Sequence, residues 1–163
     1  RGLRLVYGGS RMGLMGIVAS AVLQRNGEVV GVMPRLLMKR EAVHPELTEL
    51  HVVSSMHERK AKMAELADGF VSLPGGLGTW QETFEILTWL QLGIHDKPCG
   101  LLNVERYFDP IVELFAHGRD EGFLRGETES LLLVDDCPTQ LLDRMASRES
   151  SRQTPPWLSL EQA

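Results

Sequence analysis

A carboxylate, Glu82, follows closely on a glycine-rich turn, Pro74-Gly75-Gly76-Leu77-Gly78-Thr79, and two adjacent cations, Arg59 and Lys60, stand earlier in the chain. A short apolar run (Phe70, Val71, Leu73) leads into the turn and a long apolar-periodic segment, Trp80 to Leu92, leaves it. The pattern predicts strand, glycine loop, helix. Glycines let a backbone approach a ligand closely, and the N–H groups of a helix start hold an anion. Glu82, expected in the first helical turn, would sit beside that phosphate seat. The structural alternative has substance, because Thr79-Trp80-Gln81-Glu82 also reads as a capping box. Three glycines and a proline before the box exceed what a cap requires.

Met56-His57-Glu58-Arg59-Lys60 is the second dense spot. Taken alone, such a charge run is usually a solvated helix face. Near a helix start that follows a strand end, Arg59 is instead placed to clamp a phosphate or a developing charge. Lys60 has the weaker case, with its ammonium in solvent. Glu41, in Lys39-Arg40-Glu41-Ala42, has no role that spacing assigns. The histidines at 44, 51, 57, 95 and 117 form no metal-binding pair, so no metal site is expected.

An earlier glycine loop, Gly8-Gly9-Ser10-Arg11-Met12-Gly13, is not a P-loop, since Leu14-Met15 stands where Lys and Ser or Thr are needed. Neither loop carries the G-x-G-x-x-G dinucleotide fingerprint, and Ser10 directly follows Gly9 without the spacing of a nucleophile elbow. Kinases, dehydrogenases and serine hydrolases are thereby set aside.

The elements that must position these groups alternate along the chain. Leu3–Tyr7 reads as a strand, Leu14–Leu23 as a helix apolar on nearly every face, and Glu28–Met33 as a strand closed by Pro34. Residues 35–49 are polar and irregular. Leu50–Val53 is a short strand, and Ser54 or Ser55 caps a helix from Met56 to about Ala67. After the glycine turn come a strand at Cys99–Leu102, a helix at Phe108–Glu121, a strand at Leu131–Val134 and a closing helix at Thr139–Met145. The expected class is α/β, a mostly parallel sheet with helices on both faces. Ligands in such sheets bind at the carboxyl ends of strands, where both glycine loops stand and could share one crevice. One catalytic domain is expected over 1–146 and a loose tail over 147–163. The chain opens as though mid-fold, which suggests that an earlier strand–helix unit is missing.

The 163 residues carry a formal net charge of −5, which argues against a nucleic-acid partner. No apolar run is long enough to span a bilayer. Cys99 and Cys137 give neither a disulfide framework nor zinc spacing, which fits reduced thiols in a cytoplasmic setting. The apolar residues of Trp80 to Leu92 face several directions, more than one sheet can bury, and a dimer is expected.

Four motifs stand together in order: Tyr7-Gly8-Gly9-x-x-x-Gly13-Leu14-Met15-Gly16, Met56-x-x-Arg59-Lys60, Pro74-Gly75-Gly76-x-Gly78-Thr79-x-x-Glu82 and Thr88-Trp89-x-Gln91-Leu92-Gly93-Ile94-His95. In combination they resemble the LONELY GUY (LOG) family, the cytokinin riboside 5′-monophosphate phosphoribohydrolases, over nearly all of Leu3 to Met145. Many such chains carry the label lysine decarboxylase, which no pyridoxal-type lysine site supports here. The resemblance implies a Rossmann-like fold, a homodimer, no cofactor, and hydrolysis of a nucleoside 5′-monophosphate to free base and ribose 5-phosphate. It further implies Arg59 and Glu82 as the catalytic pair, with Glu41, Lys60, the loop Gly75, Gly76, Leu77, Gly78 and Thr79, and Thr88 around the nucleotide. Two departures stand out: Gln81 where many relatives carry another acid, and the absent first strand and helix.

On this expectation Glu82 stabilises an oxocarbenium-like sugar and orients the attacking water, while Arg59 fixes phosphate or ribose hydroxyls and helps the leaving base take up its proton. The competing class is a nucleotide carrier that holds its ligand without turning it over.

Overall fold

The computed structural model describes residues 1–39, 42–124 and 131–148. The chain divides into two compact units, Arg1–Ala67 and Asp68–Ala163. Each contains a three-stranded, fully parallel sheet with βα alternation, consistent with the expected Rossmann-like α/β class.

In the first unit the order along the chain is β1 (Leu5–Tyr7), α1 (Gly13–Leu23), β2 (Val29–Pro34), β3 (Glu49–Val53) and α2 (Met56–Leu66). Strand β2 lies between β1 and β3, pairing Leu5 with Val29 on one side and Val32 with His51 on the other. Its sequence, Val-Val-Gly-Val-Met-Pro, is buried throughout, as a central strand covered on both faces must be. Pro34 is tolerated because it ends the strand. Tyr7, Ala19 and Val29 form a core with Leu5, Val22, Leu23 and Leu47 packed on it. Helix α1 departs from expectation: only Gly16 and Ala19 are fully buried, and Leu14, Met15 and Ile17 are exposed.

In the second unit the order is β4 (Phe70–Ser72), α3 (Leu77–Gln91), β5 (Cys99–Leu102), a 3-10 turn at Val104–Arg106, α4 (Asp109–Asp120), β6 (Leu132–Asp135) and α5 (Pro138–Ser147). Strand β5 is central, with Gly100 opposite Val71 and Leu133. Leu87, Leu90 and Cys99 form the core with Phe70, Ile86, Phe115 and Leu132 against them. Burial pushes the Cys99 thiol up to about 12, which leaves it a packing residue rather than a nucleophile. The tail expected from 147 onward falls, beyond Arg148, outside the described residues.

The sequence placed the helix ends well where local chemistry marks them. Ser55 is the N-cap of α2: its hydroxyl accepts the Glu58 N–H at 3.1 Å, while the Glu58 carboxylate accepts the Ser54 N–H at 2.7 Å. The Ser54 hydroxyl first, and then the Ser54 N–H, hold the Glu58 carboxyl below its ordinary range. Replacing Ser55 with Ala should cost about 1 kcal/mol in urea unfolding, because it strands one helix-start donor. An unchanged midpoint would show that solvent serves that donor equally well.

Candidate active site

In the first unit the chemistry gathers where β1 runs into the first glycine loop. Arg59, in the second half-turn of α2, is 6% exposed, and its Nη2 donates to the Gly8 carbonyl at 3.0 Å. Nη1 rests 3.9 Å from the Met56 sulfur, and Nε is buried with no hydrogen-bond partner among the described residues. No carboxylate of the described residues pairs with this guanidinium. A buried cation without counter-charge is costly, and an incoming anion offsets that cost. Gly8 is required by the same contact, since a Cβ there would stand 1.7 Å from Arg59 Nη2 and 2.9 Å from the Met15 methyl.

The irregular segment after β2 is stitched to this loop. Arg11 N–H donates to the Ala42 carbonyl, His44 N–H donates to the Gly9 carbonyl, and Ser10 bridges Val43 antiparallel. His44 is itself buried, with Nδ1 accepting the Glu46 N–H at 3.3 Å and Nε2 within 3.0 Å of Ser20 Oγ. Accepting at Nδ1 puts the proton of a neutral ring on Nε2, where Ser20 receives it. His44 is therefore a structural staple. Lys60 is 7% exposed, not in solvent as the charge run suggested. The turn of helix that buries Arg59 buries its neighbour too.

In the second unit α3 starts earlier than expected. Gly76 is its N-cap and the helix begins at Leu77, so Thr79 lies inside the first turn and the capping-box reading fails. Glu82 consequently sits in the second turn, half-buried, and not in the first. The N-cap glycine supplies no side-chain oxygen, so the first-turn N–H groups lack the usual capping acceptor. A Cβ at Gly76 or at Gly78 would meet nothing within 4 Å, so packing within the chain does not demand glycine at either place. Open space and a bare helix start are what a phosphate cradle needs.

Thr83 braces the cradle from behind. Its hydroxyl donates to the Thr79 carbonyl at 2.7 Å and lies 2.6 Å from Ser72 Oγ, tying the end of β4 to the first turn of α3. Thr88 stands apart: it is exposed, its hydroxyl donates to the Phe84 carbonyl at 2.7 Å, and nine residues of helix carry it about 14 Å along the axis from Thr79. Glu41 lies outside the described residues. An open cleft of about 460 Å³ lies at the ends of β5 and β6, lined by Asn103, Glu105, Arg106, Val134, Asp135 and Asp136. Asp135 is held below the ordinary carboxylate range, first by the Cys137 N–H and then by Arg144. Three carboxylates against one guanidinium make that cleft a poor phosphate seat. Among the described residues no cluster of His, Cys, Asp and Glu is suited to a metal, and no helix is long and apolar enough to cross a membrane.

Known proteins resemble this chain in sequence. A family model described as "Possible lysine decarboxylase" matches residues 15–145. The chain is 54% identical over 133 residues to the cytokinin riboside 5′-monophosphate phosphoribohydrolase of Rhodococcoides fascians, covering 81% of this chain and 67% of that protein. It is 46% identical over 153 residues to the probable cytokinin riboside 5′-monophosphate phosphoribohydrolase LOGL1 of Oryza sativa subsp. japonica, covering 94% of this chain and 69% of the relative. To the phosphoribohydrolase LOG1 of Arabidopsis thaliana it is 41% identical over 145 residues, 89% of this chain and 68% of the other. The chain belongs to the LOG family.

Several groups around the LOG motifs were not legible in the sequence. Tyr107, whose hydroxyl donates to the Gly75 carbonyl, has no motif of its own and reaches the glycine loop from the β5–α4 connection. Thr83 reads as one more polar residue of an amphipathic helix. The fit of Gly8 to Arg59 joins residues 51 positions apart, which no local pattern reports. Gln81, the departure from many LOG relatives, is exposed.

Proposed function

We propose that this LOG-family chain hydrolyses the N-glycosidic bond of a nucleoside 5′-monophosphate, giving free base and ribose 5-phosphate. The observation that carries the reading is the bare, open start of α3 with Glu82 one turn on. The names of relatives at 41% to 54% identity supply the substrate class, and they speak against the decarboxylase description of the family model.

In this reaction water adds at the anomeric carbon as the bond to the base nitrogen breaks, and the base leaves with a proton. Positive charge builds on the sugar between these events. Glu82 stabilises that charge and takes the proton of the attacking water. Arg59 holds phosphate or ribose hydroxyls with its guanidinium, whose Nε has no hydrogen-bond partner among the described residues. The loop Gly75 to Thr79 seats the 5′-phosphate, so binding energy from a remote group positions the reacting carbon. Lys60 adds positive charge beside Arg59. No cofactor is called for.

The active form is a homodimer. Trp80, Phe84 and Leu92 of α3 each leave more than a third of their surface exposed, a large apolar load for one helix. The free thiols of Cys99 and Cys137 fit a cytoplasmic setting.

Chromatography after incubation with AMP, and separately with an N6-isopentenyl analogue, tests the reading. Free base together with ribose 5-phosphate is expected from at least one of them. AMP that is retained by the protein but intact would make the chain a carrier instead.

A further inference from the structure

The β5–α4 connection is built at some expense to the backbone. Glu105 and Arg106 are consecutive non-glycine residues in the left-handed region, with φ of 51° and 62°. Each such residue costs of order 1 kcal/mol or more and persists only where its surroundings hold it. Here a network holds it. Asn103 N–H donates to the Asp135 carbonyl at 2.8 Å, Asn103 Oδ1 accepts the Phe108 N–H at 2.7 Å, and Asn103 Nδ2 donates to Asp109 Oδ1 at 2.8 Å. Arg106 Nε donates to the other Asp109 oxygen at 2.6 Å. Asp109 is held below the ordinary carboxylate range by these two donors, Asn103 first.

What the strained turn delivers is Tyr107. Its ring stands edge-on to the fully buried Phe108, with centroids 5.0 Å apart at 84°, and its hydroxyl donates to the carbonyl of Gly75. The described backbone has no cis peptide. In a trans peptide the C=O and N–H point in opposite directions, so a Gly75 carbonyl directed at Tyr107 turns the Gly76 N–H the other way. Gly76 is the N-cap of α3 and is open to solvent. Between two glycines nothing steric resists a flip of this peptide. A flip would present a carbonyl lone pair at the helix start, where an anion needs a donor.

We infer that Tyr107 is a positioning residue: its hydroxyl locks the Gly75–Gly76 peptide with the N–H outward, fixing the glycine loop as a seat for the phosphate group of a sugar phosphate. This inference rests on the proposed function for its ligand class, and it concerns binding of the phosphate rather than bond cleavage.

Tyr107→Phe keeps the ring and its contact with Phe108 and removes only the hydroxyl. Titration calorimetry of the full chain with ribose 5-phosphate is expected to show affinity weakened by about tenfold, the size of one lost hydrogen bond that orients a donor to a charged group. The thermal midpoint should change little. In turnover of a nucleoside 5′-monophosphate the loss should fall on KM, with kcat nearly kept, whereas general damage to the fold would lower both. Ribose 5-phosphate binding within twofold of the parent chain would overturn the inference, as would a parent chain that does not bind ribose 5-phosphate. A parent chain that binds ribose 5-phosphate yet releases no base would sink the hydrolase reading alone, and the comparison of affinities would still decide the role of Tyr107.

Discussion

Glu82→Gln is expected to lower kcat for base release by about 10²- to 10³-fold while leaving ribose 5-phosphate affinity and the thermal midpoint close to those of the parent chain. The substitution keeps the size and shape of the side chain, removes its negative charge and turns one acceptor oxygen into an N–H donor. Because α3 begins at Leu77, Glu82 is not the acid of a capping box, so the helix does not lose its start with the carboxylate. Glutamine and glutamate also have nearly equal helix propensities, so any stability change should stay within about 0.5 kcal/mol. On the proposed function, what disappears is a charge that stabilises the developing oxocarbenium, an interaction stronger in the transition state than in the ground state. Loss of such an interaction appears in kcat and not in KM. Turnover within a few-fold of the parent would return Glu82 to a purely structural role.

That expectation depends on where a helix starts, which was the least legible feature of the site. The alternation of strands and helices followed from composition and period, and the elements at β2, β5 and α4 fall within about a residue of their expected limits. The start of α3 did not, for a physical reason. A glycine at the cap and another in the first turn look like loop on propensity alone, yet the first turn's N–H groups have no helical partners to lose, and a short penalty there is outweighed by the packing of Leu87 and Leu90. Lys60 was misplaced because a charge run reveals nothing about which residues pack against it. Arg59 stood out in the sequence as a cation of interest, but its seat on Gly8 is a contact between segments distant in sequence. Tyr107 was invisible for the same reason: its partner is a carbonyl, and carbonyls have no sequence signature.

The seat of Arg59 sets up the second large effect. Arg59→Met fills a similar apolar volume and removes the guanidinium, so kcat/KM for a nucleoside 5′-monophosphate should fall by about 30- to 1,000-fold, the usual range for truncating one side of a buried charge pair. Stability should hold or rise, because the folded chain no longer buries a cation that the described residues leave without a carboxylate. Arg59→Lys should recover little, since an ammonium cannot reproduce the planar fork that reaches Gly8 and a ligand together. Gly8→Ala approaches the same point from the other side. Its Cβ would occupy the space of Nη2, 1.7 Å away, and the guanidinium must leave its place on the Gly8 carbonyl. Activity should therefore fall although no charged residue has changed. The two substitutions act on one contact, so Gly8→Ala in the Arg59→Met background should cost little further activity, and the stability lost in Gly8→Ala alone should be largely regained. Kinetics and thermal unfolding of the four proteins in this cycle decide the matter. Additive losses would mean that Gly8 and Arg59 serve the reaction separately, and full activity in Gly8→Ala would mean that the guanidinium works from some other position.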